Sequence, residues 1–175
     1  MTTPSEPSQG TRVLVAFGET QPEMLAELHK AFGRFEEGVR GSQDHWLQAP
    51  SEGRWSPAQV AEHVLLVNEN VGRLVALLLS DKALRPMERT PGHTQDGRRL
   101  APANLEPSAG QPWEALSARW EASHAQLTGV GERLAAADLG RVAYHPFLGD
   151  LDAHDWFRMV TYHIRHHRRQ LEEGQ

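Results

Sequence analysis

Four stretches of the sequence carry apolar residues three or four apart, each behind residues that start helices, and that pattern leaves few folds open. Thr20, Pro22 and Glu23 form a capping-box signature, and Leu25, Leu28, Phe32 and Phe35 then fall on one helical face. The helix so predicted stops near Gly38 or Gly41. Ser56, Pro57 and Gln59 repeat the signature ahead of a stripe of Val60, Val64, Val67, Val71, Leu74, Val75 and Leu78. Pro112 and Glu114 open a third helix faced by Trp113, Leu116, Trp120, Leu127 and Leu134. Asp152 and Asp155 open a fourth, faced by Trp156, Met159, Val160, Ile164 and Leu171. No segment shows the alternation of a strand. Four amphipathic helices of roughly 20 to 25 residues predict an all-α four-helix bundle.

The connections predict the topology. Residues 82–111 hold Pro86, Pro91, Pro102 and Pro107 among glycines and charges, far more chain than antiparallel neighbours need. Such a length can carry the chain back along the bundle, so that helices two and three run parallel and the order is up-down-down-up. The other reading is a floppy insertion. Residues 1–11 read as a disordered Ser, Thr and Pro-rich tail, and 12–175 as one domain; TRVLVAFG reads equally as an extended or a helical lead-in.

Composition narrows the function. Against 23 acidic residues stand 18 basic ones, a net charge of −5, which is the wrong balance for gripping nucleic acid or an anionic membrane. Without cysteine there is no disulfide, thiolate ligand or internal sulfur nucleophile. VLVAF is too short for a signal-peptide core, and no window approaches the roughly 20 apolar residues of a membrane span. The expectation is a soluble, cytoplasmic protein.

YHIRHHRRQL, Tyr162 to Leu171, holds three of the chain's ten histidines. His163 and His167 are four apart, so their imidazoles project from one face one turn apart, in register with Met159 and Trp156. His166 lies off that face. On helix two, His63 interrupts the valine stripe about 10 Å into the helix. If helices two and four are antiparallel, the three histidines meet at one depth. Two readings stand at this point. Either HHRR is cationic dressing favoured by the helix dipole, with His63 a hydrogen-bonded core residue, or the three form a metal site.

RWSPAQVAEHVLLVNEN (Arg54 to Asn70) and HPFLGDLDAHDWFRMVTYHIRHHRRQL (His145 to Leu171) together resemble the DinB-like superfamily, which includes a YfiT-like group classed as metal-dependent hydrolases. Trp55, Ser56 and Pro57, then His63, then His163, His167 and Gln170 match its pattern. The resemblance implies an up-down-down-up bundle and a divalent metal (nickel, zinc, iron or manganese) held by His63, His163 and His167. It also implies chemistry with a low-molecular-weight thiol such as bacillithiol or mycothiol.

Three neutral imidazoles around such an ion would ionise a bound water or thiol, either of which is then the nucleophile. Glu62 and Glu69 fall about 100° or more from His63 on the helix wheel, so no general base can be named. That ranks thiol transfer to a small electrophile above hydrolysis. The reading from another class is a non-catalytic metal-binding bundle that pairs as a homodimer. Asn70, His124, Gln170, Trp156 and Met159 are candidates for the pocket lining, His124 as a wall or core residue rather than a ligand. Trp46, Trp55, Trp113 and Trp120 are expected mostly in the core. Arg165, Arg168 and Arg169 are expected in solvent, or drawing an anionic thiol to the mouth. His145, in its HPFLG loop, is expected as a gate rather than a ligand. The partners expected are a small-molecule substrate and no nucleic acid or membrane.

Overall fold

The structure is a computed structural model that describes residues 9–173. Its helices are α1 (Gln9–Leu14), α2 (Gln21–Gly41), α3 (Pro57–Leu78), α4 (Trp113–Gly131) and α5 (Ala153–Glu172). The four helices expected from the sequence are α2 to α5. The tail expected over residues 1–11 lies outside the described residues as far as position 8, and its last three positions are the opening of α1. The lead-in resolves as helix, continued by a 3-10 turn at Val15–Phe17.

Capping explains where three of the four bundle helices begin. Thr20 and Ser56 each complete a capping box, with Glu23 and Gln59 respectively, and Asp152 accepts the backbone N–H of Asp155. Pro112 makes no such side-chain bond, so α4 starts on the fixed φ of proline alone. Helix α4 also stops short of Leu134, which is carried in a 3-10 turn and is nonetheless fully buried.

Interhelical contacts fix the directions. Arg158 near the start of α5 donates to the carbonyls of Gly18 and Glu19 just before α2, while Gly38 at the end of α2 lies against Leu171 at the end of α5. These two helices are therefore parallel. Glu69 of α3 pairs with Arg119 of α4, and Gly72 lies under Gln126, so α3 and α4 are parallel too. Gln21 donates to the carbonyls of Gly131 and Glu132, whereas Glu36 accepts from Trp120, which makes α2 and α4 antiparallel. The bundle is up-down-down-up, with α2 and α3 each packed on both α4 and α5. Its centre is filled by Met24, Leu28, Phe32 and Phe35 from α2, Val64 and Val75 from α3, Leu116 and Leu127 from α4, and Phe157 and Ile164 from α5, all buried. Each such side chain contributes about 1.5–3 kcal/mol through burial. The approach of α4 to α2 and α5 is close enough that a Cβ at Gly131 would stand 2.5 Å from Leu25 and 2.8 Å from Phe157.

The crossover between the parallel helices is not a free insertion. It carries a short hairpin, β1 (Thr94–Gln95) with β2 (Arg98–Arg99), and a 3-10 turn at Ala103–Leu105. A second hairpin, β3 (Ala143–His145) with β4 (Gly149–Leu151), leads into α5. Strand alternation is invisible in such two- and three-residue strands, which is why the sequence reading found none. The two hairpin regions meet: Gly92 donates to the carbonyl of Pro146, Arg89 pairs with Asp150, and Arg99 lies over the Phe147 ring.

Candidate metal centre

Because α3 and α5 are antiparallel, the first turns of α3 face the last turns of α5, and the sequence places a histidine on each side of that seam. His63, His163 and His167 offer ring nitrogens that all lie within 4.8 Å of one another. The Nε2 atoms of His63 and His163 are 3.1 Å apart, and the ring centroids of His163 and His167 are 4.4 Å apart. His63 and His167 are buried, and His163 is partly buried with its Nδ1 enclosed. Of the described residues, these three form the one group of three or more His, Cys, Asp or Glu side chains close enough to share an ion.

The protons on two of the rings are assigned by their neighbours. His63 Nδ1 lies 2.7 Å from the carbonyl oxygen of Leu105, which can only accept, so that nitrogen carries the hydrogen and Nε2 keeps its lone pair. His167 Nδ1 lies 2.8 Å from Gln170 Oε1 and is fixed in the same sense. Orientation of an imidazole through its second nitrogen is what a metal ligand needs. The third ring differs, since His163 Nδ1 is buried without a hydrogen-bond partner among the described residues.

Electrostatics keep the rings neutral. Burial lowers the pKa of His63, with the Leu105 hydrogen bond opposing it. Burial, and then the neighbouring imidazoles of His167 and His63, hold His163 well below the ordinary histidine value. His167 is lowered to about 3, again by burial first and then by His63, against the Gln170 bond. Three neutral imidazoles converging in a desolvated seam suit a borderline divalent cation. The donor set therefore fits the metal that the resemblance implies.

Other expected residues take varied places. Gln170 touches the cluster, through His167. Trp156 and Met159 are buried on α5 two turns and one turn before His163, respectively, and Trp156 donates to the carbonyl of Ala143. Asn70 is half-buried two turns beyond His63, whereas Asn68 is fully enclosed. His124 faces the α2–α4 seam, stacked on Phe32 and hydrogen-bonded to His29, away from the three histidines. Trp46, Trp120 and Trp156 are buried, while Trp55 and Trp113 are only partly so. Trp55 walls the cluster, its ring 4.9 Å from His63 and 6.5 Å from His167. A cavity of about 210 Å³ is lined by Trp55, Gln170, His45, Gln48 and Pro50 among others. His166 is exposed, Arg165 lies over Phe17, and Arg168 pairs with Glu172. His145 accepts the backbone N–H groups of Phe147 and Leu148 at Nδ1, and its ring packs on Trp156.

Sequence reasoning missed Leu105 and the burial of Glu62. Glu62 does turn from His63, but it is buried beneath the crossover: it accepts from Ser108 N and Oγ and from Gln111 Nε2. The segment that delivers Leu105 to His63 is thus pinned by a carboxylate one residue before that histidine. Serine and glutamine at 108 and 111 were the available signal, and no local pattern pairs them with position 62.

Fold and site together define a helical-bundle protein with a buried three-histidine constellation. Comparison with known proteins gives the family: a model of the DinB superfamily matches residues 19–171, and the chain belongs to that superfamily. An uncharacterized protein, YuaE, of Bacillus subtilis (strain 168) is 26% identical over 144 residues, which covers 77% of this chain and 86% of the relative. The crystal structure of TT2238, described as a four-helix bundle protein, is similar with a TM-score of 0.60 at 25% identity, covering 88% of this chain and 99% of that one. No helix among the described residues is long and apolar enough to cross a membrane.

Proposed function

We propose that this chain is a metal-dependent enzyme that transfers a low-molecular-weight thiol to a small electrophile, with His63, His163 and His167 holding a divalent cation. The observation that carries this reading is the tautomer assignment: Leu105 and Gln170 leave the Nε2 lone pairs of His63 and His167 unprotonated within one cluster. When bound, a divalent cation supplies Lewis acidity that lets a thiol lose its proton at neutral pH. The chain's own part is to hold the imidazoles neutral and oriented and to wall the site from water with Trp55. The thiol proton leaves to solvent, and the sulfur–carbon bond forms as the bond from that carbon to its leaving group breaks.

Transfer is favoured over hydrolysis because the carboxylates nearest His63 in sequence are engaged elsewhere. Glu62 is occupied by Ser108 and Gln111, and Glu69 by Nε and Nη2 of Arg119. An exogenous thiol needs no such base. A cytoplasmic setting, where small thiols stay reduced, suits this chemistry.

Elemental analysis of protein isolated without a histidine tag should find about one divalent metal per chain, and His63→Ala should retain less than a tenth of it. Equal metal in the variant overturns the site. Metallated protein given bacillithiol and chlorodinitrobenzene should then form the thioether faster than background. A background rate across a panel of thiols and electrophiles would leave a metal-binding bundle without this activity.

A further inference from the structure

A second pair of histidines meets across a different seam. His29 of α2 and His124 of α4 approach with Nδ1 and Nε2 2.8 Å apart, and their ring centroids are 5.0 Å apart. We propose that this pair is a second, bidentate cation site, one that clips α2 to α4 and takes an ion of the Ni(II) or Cu(II) class, with the remaining positions filled by solvent. This site does not depend on the three-histidine cluster or on the activity proposed for it.

Geometry selects the class. Two imidazole nitrogens about 2.0–2.1 Å from one ion stand about 2.9 Å apart when the angle at the ion is near 90°, and about 3.4 Å apart in a tetrahedron. The observed separation is that of an N–H···N hydrogen bond, and an ion taking the place of that proton reaches the first value with less movement than the second. Square-planar or octahedral ions with an imidazole preference therefore fit better than tetrahedral ones. One ligand is rigid and the other can adjust: His124 is stacked on Phe32, with centroids 4.1 Å apart and planes 10° apart, whereas His29 is exposed and can rotate its lone pair toward an ion. Burial, and then His29 itself, lower the pKa of His124, so it is neutral and able to ligate at pH 7. The positive charge nearest in sequence, Lys30, reaches toward Glu27. Exposure of His29 gives water access to the open positions.

Calorimetric titration of tag-free, metal-stripped full-length protein with Ni²⁺ tests this. The wild type should take up a tight and a weaker equivalent. His29→Ala should weaken the second at least ten-fold and leave the first, whereas His63→Ala should do the reverse. His29 is exposed, so its loss leaves the fold intact, which circular dichroism checks. His124→Gln serves as the second variant and should have the same effect. Uptake of only one equivalent by the wild type, or a second equivalent that survives in both His29→Ala and His124→Gln, overturns the proposal. A tight equivalent that persists in His63→Ala would instead count against the three-histidine cluster.

Discussion

At the scale of single residues, the site depends on side chains that hold its ligands as much as on the ligands. Gln170 is the clearest case, since its Oε1 accepts the hydrogen bond that fixes the His167 ring. Gln170→Leu should lower metal affinity about 10- to 100-fold while helix content stays unchanged, measured by competition with a chromophoric chelator. His145 gives a pH prediction. Burial, and then Arg99, lower its pKa to about 4 from 6.5, so the folded protein keeps it neutral where the unfolded chain would bind a proton. Stability is then whole above pH 6.5 and falls as the pH drops toward 4, by about 3 kcal/mol in all. His145→Phe should flatten that part of a plot of urea-unfolding free energy against pH. An identical slope in variant and wild type would show that His145 is not the group responsible. The three clustered histidines were legible in the sequence because each lies on a helical face whose period can be counted. His29 was not, because it sits on the exposed side of α2 and its partner is remote in the chain.

At the scale of elements, the starts of α2, α3 and α5 could be read because a cap is made by residues within three positions of the helix it opens. The two hairpins and the Leu105 contact could not be read, since tertiary pairing alone decides them. Glu62 shows the difference. Its helix was evident, yet its burial depends on Ser108 and Gln111, which reach it only once the crossover has docked. Glu62→Ala removes the acceptor for three donors and should cost about 1–3 kcal/mol. It should also open the segment around residues 103–111 to proteolysis and weaken metal binding through His63. An unchanged cleavage pattern would mean the crossover is held by other contacts. Arg141 does a comparable task at the far end of α3, donating to the carbonyls of Leu77, Leu78 and Lys82.

At the scale of the molecule, a cation held by His63, His163 and His167 joins α3 to α5, and it binds the folded chain alone. At a free concentration a hundred times its dissociation constant it adds about 2.7 kcal/mol of stability. For a chain of this length that is a rise in melting temperature of roughly 5 to 11 °C. EDTA should reverse the rise in the wild type and change little in His63→Ala; differential scanning calorimetry measures both. Leu105 adds a kinetic corollary. The backbone oxygen that pins the His63 ring belongs to a connecting turn rather than to the bundle. If that turn lifts, the ring is free to spin out of line, so the dwell time of an ion held there should follow the breathing of a loop more than the strength of three nitrogen bonds.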